Sequence, residues 1–109
     1  MSNPRMHYQI NEDVSDNLIN VLDAIDEIFG KLPNVGMDEN YAAAIAFYCE
    51  PYLRTIQDEA NEMIISVRSV YAFNTLCEIM SNIPSSDDLG MGVQLNTLNK
   101  ILQSVMHDN

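Results

Sequence analysis

The stretch DENYAAAIAFYCEPYLRTIQDEANEMIISVRSVYAFNTLCEIMSNIP, residues 38–84, contains no glycine, and its reading decides the fold class. Asp38 is a helix-capping residue type, and Glu39 follows in the first turn, so a helix begins here. Tyr41, Ile45, Cys49, Tyr52, Ile56, Ala60, Met63, Val67 and Val70 recur at steps of three and four. That spacing places side chains on one helical face. The phase survives Pro51, which points to a kink or a tight junction there. One helix over 39–82 would be about 65 Å long, too long for a domain whose radius of gyration is ~13 Å. The run therefore breaks. Pro51, the Ser66–Ser69 stretch and Phe73-Asn74-Thr75 all offer breaks, with Thr75 and Glu78 spaced as a capping box. The reading adopted is a kink near Pro51 and a turn between residues 66 and 75.

Upstream, Asn11 can cap a helix whose first turn holds Glu12 and Asp13. Val14, Leu18, Val21, Leu22, Ile25, Ile28 and Phe29 form its apolar stripe. Gly30 suits the left-handed position after the last turn, so the helix is placed at 12–29, followed by a loop over 30–37. Residues 1–11 form an arm with a short alternation at Met6, Tyr8 and Ile10, which suits an extended segment or a short strand. Downstream, Ser85-Ser86-Asp87-Asp88 reads as a loop or cap. A last helix carries Leu95, Leu98, Ile101, Leu102, Val105 and Met106 on one face, and His107 complements its dipole. The expected fold is all-α, a compact antiparallel bundle of four to five helices over residues 12–109.

Composition narrows the function classes. The 109 residues include 16 acids and five bases, a formal charge of −11, yet only 19% are charged. The acidity therefore comes from missing lysine and arginine. Neutralising phosphates needs those residues, so direct nucleic-acid binding and anionic membranes are not expected as partners. No apolar run approaches the ~20 residues of a membrane span. The first five residues lack a signal-peptide pattern, so the expected location is cytoplasmic.

No catalytic, cofactor-binding or metal-ligating constellation is legible. Leu89-Gly90-Met91-Gly92 lacks the strand and the third glycine of a dinucleotide fingerprint and reads as a helix start. Cys49 and Cys77 form no CxxC and read as buried, reduced thiols, although Pro51 could put Cys49 near a helix start. Asp58, Glu59 and Glu62 read as a solvated face, and no Glu-x-x-His accompanies them. Glu59 and Glu62 are the residues an enzyme or metal reading would have to use. Glu50, Arg54 and Asp58 are spaced as an exposed ion-pair ladder.

Two features suggest partner binding. Glu12, Asp16, Asp23 and Glu27 lie on one stripe of the first helix, flanked by Asp13 and Asp26, with no base from residue 6 to 30. The plain reading is a solubilising face; the functional one is a dock for a basic partner or a mimic of nucleic-acid phosphates. Residues 41–49, with Tyr41, Phe47 and Tyr48, are apolar nearly all round. Such a helix is central in a monomer, or its outer side meets another chain, as in a homodimer. Met37 and Met91 are read as loop residues suited to partner contact, and Met63, Met80 and Met106 as core filler. The expected function is a non-enzymatic helical module, expected as a homodimer, that acts by binding another protein through an apolar helical face with the acidic first helix steering a basic partner, and with no cofactor. The alternative is an acidic inhibitor of a nucleic-acid-binding protein.

Overall fold

A computed structural model describes residues 7–107. Met6 of the N-terminal alternation lies outside the described residues. The order is β1 (His7–Gln9), α1 (Glu12–Lys31), a 3-10 turn (Leu32–Val35), α2 (Glu39–Asn61), β2 (Ile64–Ser66), α3 (Val67–Ser81), a second 3-10 segment (Pro84–Leu89) and α4 (Met91–His107). The all-α bundle expected from the sequence is the fold the chain adopts; the only sheet among the described residues is the β1–β2 pair. No helix among them is long and apolar enough to cross a membrane.

The start of α1 follows the sequence. The Asn11 side chain accepts the Val14 N–H at 2.9 Å, and Leu18, Leu22, Ile25 and Phe29 are buried. Its end does not. Gly30 is helical, α1 continues to Lys31, and the left-handed glycine is Gly36, with φ 91°. Leu32 decides this: it is fully buried, and the extra turn carries it into the core. Burying a leucine stabilises by roughly 1.5–3 kcal/mol, which exceeds the ~1 kcal/mol penalty of a glycine within a helix.

The Asp38 carboxylate caps α2, accepting the Asn40 and Tyr41 N–H groups at 3.0 and 3.2 Å. The helix then runs through Pro51 to Asn61. Pro51 is exposed, on a side where water can replace the N–H that proline lacks. The buried stripe is Ala42, Cys49, Leu53, Ile56 and Ala60. It is rotated from the expected one, so Tyr41 is exposed.

The break falls at residues 62–66, not between 66 and 75. Met63 takes a left-handed φ of 63°. Its N–H donates to the Ala60 carbonyl, and its own carbonyl accepts the Ile10 N–H, both at 3.0 Å. Phe73, Asn74 and Thr75 lie inside α3, where the Thr75 hydroxyl donates to the Tyr71 carbonyl at 2.9 Å and caps nothing. A left-handed conformation costs an ordinary L-residue roughly 1–2 kcal/mol, and a β-branched one more. Met63→Gly is therefore expected to match or slightly exceed the wild type in urea denaturation. Met63→Ile is expected to lose about 1–2 kcal/mol.

β1 pairs antiparallel with β2, Tyr8 opposite Ile65. Because β1 precedes α1 and β2 follows α2, this pairing makes the two helices antiparallel. The buried Ser15 hydroxyl ties them further, donating to the Ala60 carbonyl at 2.8 Å. α3 packs against α2, and α4 packs against α1. The molecule measures 51 × 26 × 19 Å. Its thinnest dimension is about two helix diameters, so each long helix keeps one side open to solvent.

The start of α4 is fixed by Asp87, whose carboxylate accepts the Gly92 N–H at 3.0 Å. Gly90 precedes it with φ 93°. Met91 is buried in the core and Met37 packs against it, so neither is the open loop contact expected. Of the three methionines read as core filler, Met80 is buried, whereas Met63 and Met106 are only partly buried and lie outside the core.

Candidate functional site

The four acids of the α1 stripe, Glu12, Asp16, Asp23 and Glu27, are all exposed. They lie opposite Leu18, Val21, Leu22 and Ile25, which hold the helix in the core. Among the described residues the only ion pair is Glu50–Arg54 on α2, so no base neutralises the stripe. Asp58 does not extend that pair into a ladder.

Residues 41–49 are not buried all round. Ala42 and Cys49 are buried, whereas Tyr41, Phe47 and Tyr48 are 56%, 78% and 69% exposed. Of the two arrangements the sequence allowed, the central one is ruled out for this half of α2. Its outer side is open, and Phe47 is the most exposed large apolar side chain among the described residues. Tyr71 on α3 is also exposed, near a shallow groove it lines with Tyr52 and Val67.

Phe47 stands between two open grooves. One, of about 370 Å³, lies between α1 and α2 and is lined by Leu22, Asp23, Asp26, Phe47, Glu50 and Leu53, among others. The other, of about 550 Å³, follows the outer side of α2 from Phe47 past Arg54 and Asp58 to Glu62, with Arg68 at its edge. The structure thus joins part of the acidic stripe to part of the apolar segment. Asp23 and Phe47 share a groove, and Asp26, read only as a flanking acid, joins them. Glu12, Asp16, Glu27, Tyr41 and Tyr48 lie outside that lining.

Glu59 departs most from its expected place. It is not on a solvated face but buried at the α2–α3 junction. Its carboxylate accepts the Ser66 N–H at 2.8 Å and the hydroxyl of the fully buried Ser69 at 2.6 Å, and it also accepts the Ser66 hydroxyl. Ser66 in turn accepts the Arg68 N–H at 3.1 Å, capping α3. Burial pushes the Glu59 pKa up, but the bonds from Ser66 and Ser69, with the nearby Arg68 charge, outweigh it and hold the pKa below the usual glutamate value. These bonds make the carboxylate part of what holds the α2–α3 junction together. The sequence signal was its place three residues after Ile56, on the buried face.

The remaining chemistry is sparse. Cys49 is buried in mid-helix, not at a helix start, and burial pushes its pKa up to about 11; burial also raises that of Cys77. Both are free thiols, and burial disfavours the reactive thiolate form of each. No group of three His, Cys, Asp or Glu side chains among the described residues is placed to hold a metal ion. Comparison with protein-family models, with curated proteins and with solved structures returned no match.

Proposed function

We propose that the protein is a non-enzymatic helical interaction module, binding another protein through the outer side of α2 with the acidic α1 beside it. The observation that supports this reading is the exposure of Phe47 and Tyr48 on a helix whose other side is core. Leaving two large aromatics in water forgoes burial energy of roughly 1.5–3 kcal/mol for a side chain such as Phe. Aromatic side chains are enriched at interfaces, where such exposure ends. The charge of −11 on each copy opposes self-association, so a partner of opposite charge is favoured over a homodimer.

The test is a tagged pull-down from lysate, nuclease-treated, with the wild type and a Phe47→Asp/Tyr48→Asp variant of equal helicity. The expected result is a stoichiometric partner held by the wild type and lost by the variant. Identical capture by both proteins, or no capture, overturns the reading. A second reading, inhibition of a nucleic-acid-binding protein, draws on the unneutralised stripe of Glu12, Asp16, Asp23 and Glu27. It requires a partner that survives the aromatic substitutions and is released by high salt.

A further inference from the structure

We propose that the groove between α1 and α2 docks a short segment of a partner protein, with an apolar side chain set against Phe47 and flanking lysine or arginine on Asp23 and Asp26. This rests on the interaction-module reading and names the site and the chemistry of its occupant. The apolar part of the groove's lining is Leu22, Ala46, Phe47 and Leu53, of which Leu22 and Leu53 are buried. Phe47 forms an exposed apolar wall. Asp23 and Asp26 stand one turn apart on the α1 side, and neither has a basic partner among the described residues. Arg54, the one base lining the groove, is already paired with Glu50.

Charge selects the occupant. A phosphate backbone or an anionic membrane meets repulsion here. A second copy brings another −11, and of its five bases the Arg54 side chain is already engaged. A cationic, partly apolar peptide segment satisfies both parts of the groove. The space, about 370 Å³, corresponds to on the order of ten waters, of which an inserted apolar side chain would displace a few. An arginine could also stack on the Phe47 ring, a favourable cation–π arrangement.

The test uses fluorescence anisotropy on the full chain at physiological salt. The probes are a labelled leucine–lysine dodecamer and two controls, one with Glu for Lys and one with Ser for Leu. Only the leucine–lysine peptide is expected to bind saturably. Phe47→Ala and Asp23→Asn/Asp26→Asn should each weaken it about tenfold, a shift readily resolved in Kd. Glu12→Gln/Asp16→Asn removes the same charge elsewhere on α1 and should leave Kd unchanged. Equal weakening by the two neutralised doubles would show attraction by overall charge and overturn the groove. Weakening by Phe47→Ala alone would overturn the basic occupant while leaving the aromatic interaction surface standing. Insensitivity to Phe47→Ala counts against both. Absence of peptide binding overturns the inference alone, because the pull-down decides the broader reading separately.

Discussion

Glu59→Ala is expected to lower stability by about 3 kcal/mol or more, since a buried hydrogen-bonding group left without its partner costs roughly 1–3 kcal/mol and three donors lose theirs here. The substitution strips the Ser66 N–H and the Ser66 and Ser69 hydroxyls of their acceptor. Ser69 is fully buried, so water cannot take over there without opening the junction. For a domain of this size the loss corresponds to a fall in melting temperature of roughly 12 °C or more. The same carboxylate gives a pH signature. Its pKa is lowered on folding, so its contribution is complete above the unfolded-state value and lost as pH falls through the folded one. Glu59→Gln cannot titrate at this position. The stability gap between wild type and Glu59→Gln should therefore stay constant from neutral pH down to about pH 5 and narrow below about pH 4. Urea midpoints measured along that series check it. A gap that widens in acid would contradict the hydrogen-bonded carboxylate described here.

Ile56→Ala is expected to cost about 2–5 kcal/mol, the range for deleting a large aliphatic side chain from a core. Ile56 is fully buried on α2, the helix that packs against both α1 and α3. A cavity there loosens both interfaces, so the cost should fall in the upper part of that range. Since whole domains are held by only 5–15 kcal/mol, the variant should populate unfolded chain on mild warming. Thermal unfolding followed by circular dichroism measures this. A loss under about 1 kcal/mol would mean the site collapses around the deletion.

These two positions also show how far the sequence could be read. Ile56 lay on the expected stripe, because its helical spacing reports burial directly. Glu59 shares the buried face, yet charge alone placed it in solvent. Its partners, Ser66 and Ser69, lie beyond a chain reversal that periodicity cannot see. That reversal was misplaced because its left-handed residue is Met63, whereas sequence reasoning looks for glycine or asparagine. Gly30 misled in the opposite direction, since burial of Leu32 overrode a local preference. For the candidate site, the acidic α1 residues were legible as exposed. The exposure of Tyr41, Phe47 and Tyr48 was not, because an apolar segment looks the same whether its outer side is covered or bare. Which acids stand beside Phe47 depends on how α1 and α2 are rotated, and only the packed structure supplies that.

The β1–β2 pair has a consequence for the order of events during synthesis. Tyr8 meets Ile65, so the first strand must wait for roughly 57 further residues, some 3–11 s at 5–20 residues per second. Until then the α1–α2 hairpin is held by its own buried faces and the bond from Ser15 to the Ala60 carbonyl. When Ser66 emerges, three elements lock within a few residues: the strand pair, the Met63 reversal and the bond from the Ser66 N–H to Glu59. The N-terminal two-thirds can thus settle before α4 leaves the ribosome, and α4 then docks on an α1 already in place.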